Sequence, residues 1–438
     1  MKDIFPKFIF TLIFISSNVV FASEQDDFQA LNLANGTSGN VNSSQVDSNI
    51  FVEAATGQTN VRGTSNLQGN QRLSGDLQYG TELTKNLHAF VSDRLDVDGP
   101  STFPGNNSTN SIYVQSGNAI NTLREGYLTW QANPNANLDV GRVNVVNGVG
   151  AGYNPTDYFK VGALRSVVTI NPYSLKENRQ GSVMIRGQQL WDDGAFSVIY
   201  SPKITSQTNS SPMSLDLGAT NNQNSILAQL TQKITNGFSP QILVYQSGQS
   251  SPQFGLNLTG LVNDSTTAYL EWSGGRSASL LGQSLNQQGL QYPLNIQFNN
   301  QASSGLTYTT KNKISITGEF EFNSAGLNNP DWSNLGPSSP LAYETYRKFL
   351  QVQQAAPTKS GAFLYVKWED FLIKNLNLSA MQRHDLVDSS HQFWFEARYR
   401  FPESEIALQW QNNVGSTWSN YGAIPQADII QLLFRCYL

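Results

Sequence analysis

The chain holds only three histidines, His88, His384 and His391, and one cysteine, Cys436, which narrows the chemistry open to it. Nucleophilic catalysis needs a base set beside its nucleophile and oriented by a third group. None of the three histidines sits in a Ser/His or Asp/His signature of that kind. His88 adjoins a short turn, while His384 and His391 lie seven residues apart across a short loop, too generic a spacing to mark a metal site. A single cysteine excludes an intrachain disulfide framework and a thiolate cluster. Cys436 reads instead as a small apolar residue on a lipid-facing row. The expectation is no enzyme, no cofactor and no metal.

Charged side chains at alternating positions offer a second kind of chemistry. By parity, Arg94, Arg186, Lys233, Lys367, Arg383, Arg398, Arg400 and Arg435 share inward rows with Asp76, Glu82, Glu271, Glu319, Glu321, Glu369 and Glu396. Such rows select solutes by geometry and polarity when they face a water-filled pore, and they can equally pair and hold the wall. Their signs nearly balance, so no strong anion or cation preference is expected. A third group lies in the stretch 146–180, where Val161, Val167, Val168 and Ile170 are too apolar for a solvent loop. That loop should fold inward or over a mouth. Tyr153, Asp157, Arg165 and Arg179 would then line a constriction; a compact cap with a structural Arg–Asp pair is the alternative.

The elements that position these groups follow from a period of two. At the C-terminal end, Ile430, Leu432, Phe434, Cys436 and Leu438 alternate with Gln431, Leu433, Arg435 and Tyr437. In 313–322, Ile314, Ile316, Phe320 and Phe322 oppose Ser315, Thr317, Glu319 and Glu321. In 361–369, Ala362, Leu364, Val366 and Trp368 oppose Phe363, Tyr365, Lys367 and Glu369. In 393–401, Phe393, Phe395, Ala397, Tyr399 and Phe401 oppose Trp394, Glu396, Arg398 and Arg400. A Lys or Arg on a lipid face near the midplane costs about 2–4 kcal/mol. The charged rows should therefore face a lumen, and the aliphatic and aromatic rows lipid.

Tight turns rich in Asn, Asp and Gly recur at 84–86, 133–137, 191–194, 235–237, 263–265, 311–312, 374–375 and 402–404. Between them come longer connections at 57–72, 98–120, 146–180, 202–224, 276–301, 323–360 and 413–426, and short ones at 248–251 and 386–390. Short turns alternating with long loops are the asymmetry of outer-membrane barrels. The count is all-β, a transmembrane antiparallel β-barrel of about eighteen strands, with sixteen left if the first segment, 50–55, and one other fail. Within 323–360, Ser339 can cap a helix, Pro340 fits its first turn, and 341–355 lacks Gly, so a short helix is expected in that loop.

Composition agrees: only 13% of residues are charged, 11% are aromatic, and the net charge is -5, no surface for nucleic acid. Lys2 and Lys7 precede an apolar run, 8–15, and small residues ending at Ala22, the pattern of a cleaved signal peptide. The expected organisation is a signal peptide over 1–22, a polar periplasmic tail over 23–49 and a barrel over 50–438. The tail is too short for a plug domain and too polar for an apolar hatch.

The segment Leu123-Arg124-Glu125-Gly126-Tyr127-Leu128, then Gly141-Arg142-Val143-Asn144, then 153–159, resembles proteobacterial porin-like barrels of the alginate-export and substrate-specific group. The resemblance covers roughly 123–190. It implies an eighteen-stranded channel in a Gram-negative outer membrane, with wall arginines and inward loops guiding a solute. An alginate conduit should be strongly basic inside, whereas this lumen reads as mixed. The expected function is passive diffusion of small hydrophilic solutes, with outer-membrane lipids, lipopolysaccharide and the barrel assembly machinery as partners. The competing reading is a surface interaction barrel, an adhesin or receptor, with its lumen closed by loops.

Overall fold

The computed structural model describes residues 48–98, 119–235 and 237–438. The expected signal peptide, nearly all of the tail and most of the 98–120 loop lie outside the described residues. Eighteen strands form a single sheet among them. The first nine are β1 (Ser48–Val61), β2 (Leu67–Thr84), β3 (Leu87–Asp98), β4 (Ala119–Asn133), β5 (Ala136–Val143), β6 (Ser182–Trp191), β7 (Gly194–Ser201), β8 (Ser225–Gln232) and β9 (Gln241–Ser247). The others are β10 (Gln253–Asn263), β11 (Thr266–Ser277), β12 (Gln297–Thr309), β13 (Ile314–Asn323), β14 (Ser360–Trp368), β15 (Leu376–Asp385), β16 (His391–Arg400), β17 (Ser404–Val414) and β18 (Gln426–Tyr437). Each pairs antiparallel with its chain neighbours. β1 also pairs β18, from Phe51 opposite Tyr437 to Val61 opposite Gln426, which closes the barrel and leaves no edge.

The eighteen-strand count holds, including the weakest expected strand, the first. Every predicted tight turn joins an even-numbered strand to the next, so all eight lie at one end of the barrel and the loops at the other. The outward rows are apolar, with Leu364, Phe320, Ile430, Leu432 and Phe434 exposed. No described helix is long and apolar enough to cross a membrane.

Three expectations need correction. The connection expected over 57–72 is only 62–66 long, because β1 and β2 stay paired as far as Asn60 opposite Leu67. Gly57, Gln58, Asn60, Gln68, Asn70 and Gln71 lack alternation, but a hairpin with exposed polar residues toward its tip keeps its ladder without it. The loop expected to hold one helix carries two, α4 (Asn329–Ser338) and α5 (Pro340–Gln353), joined at Ser339, whose side chain caps α5 by accepting from Ala342 N–H. Three shorter helices come earlier: α1 (Pro172–Glu177), α2 (Leu217–Thr220) and α3 (Leu280–Gln287).

Nor is the interior polar throughout. Met184, Ile199, Leu227 and Leu243 on β6–β9 face inward and bury against Phe159 and Val145. Phe363, Tyr365, Met381 and Trp394 on β14–β16 do the same against Ala151 and Ile170. These inward apolar rows exist because the loop between β5 and β6 fills part of the barrel and needs a dry surface to pack on. At the loop end α3, α4 and α5 share a small core around Leu281, Leu285, Trp332, Tyr346 and Leu350. α5 touches the filling loop, where Gly162 N–H donates to Val352 C=O at 2.9 Å.

Candidate pore constriction

The loop between β5 and β6 is seated by two wall carboxylates. Glu271 on β11, fully buried, accepts from the N–H groups of Val149, Gly150 and Thr156 at 2.8, 2.9 and 2.7 Å. It also takes the Thr156 hydroxyl at 2.9 Å and the Asn154 amide at 3.2 Å. Glu319 on β13 accepts from Ala151, Gly152 and Tyr153 N–H at 2.7, 3.2 and 2.8 Å, and from the Tyr269 hydroxyl at 2.7 Å. Backbone donors turned onto an anion in this way form a nest. Gly148 makes the approach possible: its φ is +95°, and a Cβ there would lie 2.5 Å from a Glu271 oxygen.

Beside this seat the loop is cationic. Arg179 and Asp157, both 2% exposed, pair at 2.6 Å. Lys160 donates to Asn154 C=O at 2.6 Å and lies 5.1 Å over the Tyr153 ring. Lys176 donates to Gly150 C=O at 2.9 Å. Burial lowers both ammonium groups below their ordinary 10.5, opposed by Asp157 and Glu271. Arg165 reaches across to the β7–β8 loop, 3.6 Å from Asp216 and 2.6 Å from Ser211 C=O.

Between loop and wall remains a cavity of about 1670 Å³. Tyr153, Asp157, Lys160, Arg165, Lys176 and Arg179 line it from the loop. Arg72, Glu321, Arg383 and Asp385 line it from the strands, and Arg347 from α5. Arg383 donates to Gly152 C=O at 2.9 Å and stands 5.1 Å over the Phe363 ring. Among the described residues, no carboxylate lies within ion-pair distance of Lys160, Lys176, Arg347 or Arg383.

The opposite wall carries a network across the closing seam. Glu53 on β1, 2% exposed, takes Arg72 at 2.7 Å, Arg94 at 3.1 Å and Arg435 at 2.8 Å. Arg94 continues to Asp76 at 3.3 Å and Asp96 at 3.0 Å, and Arg124 meets Asp76 at 2.6 Å. Arg435 bridges to Glu405 at 2.9 Å, and Arg398 joins Glu405 to Glu396. Arg400 lies 3.6 Å from Glu405.

All four expected loop residues, Tyr153, Asp157, Arg165 and Arg179, are thus brought to one cavity. So are Glu321 and Arg383 from the expected wall set. Glu319 lies beneath the loop and seats it, so its place is behind the cavity lining. Arg94, Glu396, Arg398, Arg400 and Arg435 are inward but tied into the seam network. Arg186 pairs with Asp139 at 2.6 Å, and Lys367 with Glu369 at 2.9 Å. Lys233 follows β8 at a short turn, apart from all of these; its N–H donates to Asp193 C=O. Lys160, Lys176, Arg72 and Arg347 in the cavity lining and Glu53 in the seam were not expected from the sequence. The two lysines sat inside the loop already singled out; Glu53 was legible only as one acid in a weak strand. Among the described residues, no three His, Cys, Asp or Glu side chains gather as for a metal.

A closed eighteen-stranded barrel, apolar outside and narrowed inside by a long seated loop, is a porin-type barrel. Solved structures share this fold: OccAB1 of Acinetobacter baumannii (TM-score 0.55, 11% identity, 91% of this chain and 99% of that one), and a BenF-like porin from Pseudomonas fluorescens Pf-5 (0.56, 10%, 90% and 99%). OccK5 (OpdH) of Pseudomonas aeruginosa is similar too (0.52, 12%, 90% and 98%). No protein-family model and no curated protein matches the chain.

Proposed function

We propose that the protein is an outer-membrane channel of a Gram-negative bacterium that lets small hydrophilic solutes diffuse down their gradients. The observation that carries this reading is the seated loop: it narrows the lumen but leaves a charged cavity of about 1670 Å³. The exposed apolar rows fit a bilayer core, and the loop end fits the cell exterior, where lipopolysaccharide would surround it. No covalent step is involved. Selection comes from size and from side chains that replace part of a solute's hydration.

The lining holds both signs, as expected, with seven Arg and Lys side chains against five Asp and Glu. Lys160, Lys176, Arg347 and Arg383 are held by carbonyl oxygens or ring faces, so they keep field to spare for a solute. Small anions, carboxylates among them, should therefore pass modestly better than cations of equal size. Osmotic swelling of liposomes carrying the purified barrel tests both parts. Swelling in small sugars and faster swelling in a small carboxylate salt support the reading. A folded barrel that gives no swelling in either would instead favour a loop-closed interaction barrel.

A further inference from the structure

Two of the three histidines remain unused by the channel, and the fold brings them together. His384 is the penultimate residue of β15 and His391 the first of β16, directly opposite one another, with ring centroids 6.1 Å apart. Asp385 N–H donates to Ser390 C=O at 2.9 Å, so the next pair inward, His384 with His391, is the close-set kind that brings side chains together. Both face outward. Their strand rows alternate with the buried Met381 and Asp385 on β15, and with the buried Gln392 and Trp394 on β16. His384 also lies opposite Ala362, on the row of the exposed Leu364.

Their height on the barrel is equally informative. Below them on the outer face Phe393 packs against Trp410 at 5.2 Å, an aromatic pair of the kind that marks the membrane interface. Gln382, exposed and polar, shares the His384 row. The histidine pair therefore stands at the wet end of the outer surface, within reach of dissolved ions.

We propose that His384 and His391 form a two-nitrogen site for a divalent late first-row cation such as Zn2+, Ni2+ or Cu2+. Imidazole suits these ions, and a nitrogen–metal bond of about 2.0–2.1 Å places each ring centre about 3.2 Å from the ion. A tetrahedral angle then sets the centres about 5.2 Å apart, so the rings need to close by about an ångström, a side-chain adjustment. The remaining positions stay open to water or to a headgroup oxygen. The bound ion would clip the β15–β16 hairpin at its loop end.

The test is calorimetric titration of zinc chloride into the folded, detergent-solubilised full chain carrying no affinity tag. One zinc per chain is expected. His384→Gln and His391→Gln should each weaken binding at least tenfold, while His88→Gln, on the inner face at the far end, should leave it unchanged. Zinc should also raise the heat-unfolding temperature of the native chain and of His88→Gln, but of neither other variant. No uptake by the native chain, uptake indifferent to both substitutions, or uptake dependent on His88 would overturn the proposal.

Discussion

Replacing Glu271 by Gln tests whether wall carboxylates seat the loop. The carboxylate meets five donors: Val149, Gly150 and Asn154 on one oxygen, and the Thr156 N–H and hydroxyl on the other. An amide has one acceptor oxygen, and its NH2 must face donors whichever way it turns. The better orientation points the NH2 at Thr156, whose hydroxyl can rotate to accept while its N–H loses its partner. A buried unsatisfied donor costs about 1–3 kcal/mol, and hydrogen bonds to the remaining oxygen lose their charge assistance, which about halves them. The loop seat should weaken by roughly 2–5 kcal/mol, or some thirtyfold to several thousandfold in the unseated population, since about 1.4 kcal/mol is tenfold. In planar bilayers the variant should show larger mean conductance and frequent excursions to higher levels. A Glu271→Gln barrel that still shifts on heating in a gel, yet keeps native conductance and native noise, refutes the seating argument.

Other outcomes follow from neighbouring contacts. Arg165→Ala should shift the reversal potential in a salt gradient toward cations, because it removes a cation that lines the cavity; an unmoved potential would place Arg165 outside the path. Glu53→Gln takes from Arg72, Arg94 and Arg435 the carboxylate they share, leaving Arg94 to Asp76 and Asp96 and Arg435 to Glu405, and breaking a buried pair costs about 3–5 kcal/mol. Its heat-unfolding temperature should fall well below that of Glu369→Gln, whose half-exposed pair is worth at most about 1 kcal/mol; equal temperatures would contradict the seam network. Lys160 and Lys176 have lowered pKa values, so in the folded state they release protons before pH reaches 10.5. The anion preference should therefore decline with rising pH below that value. The same lowered values make the loop seat firmer as pH rises through the folded pKa toward the unfolded one. A selectivity that stays flat at every pH below 10.5, or one unchanged in a Lys160→Met/Lys176→Met double variant, would remove the lysines from the path.

Much of the architecture was legible because a lipid-facing strand obeys a strict rule. Leu364 and Phe320 must look outward, so their neighbours Glu319, Tyr365 and Lys367 look inward, and the strand count follows from the turns between such segments. The rule lapses where strands leave the membrane, which is why Gly57 to Asn60 and Gln68 to Gln71 read as loop. It misleads where the lumen is occupied: Phe363, Trp394 and Leu227 point inward to pack on a loop that periodicity does not position. Tyr153, Asp157, Arg165 and Arg179 were legible as a group because a loop with Val161, Val167, Val168 and Ile170 needs a dry surface. Parity located Glu319 and Glu271 on the inner face, but could not separate a carboxylate that meets solute from one that meets six backbone N–H groups between the pair. The same limit hid the His384–His391 pair, whose sequence spacing says little and whose strand register says much.

Current recorded across a planar bilayer after insertion of the purified barrel tests the central claim most directly. The seated loop and the cavity beside it predict stepwise, long-lived conductance increments with a modest anion preference in a salt gradient. A folded, heat-modifiable barrel that inserts and yields no steps at any voltage would contradict it.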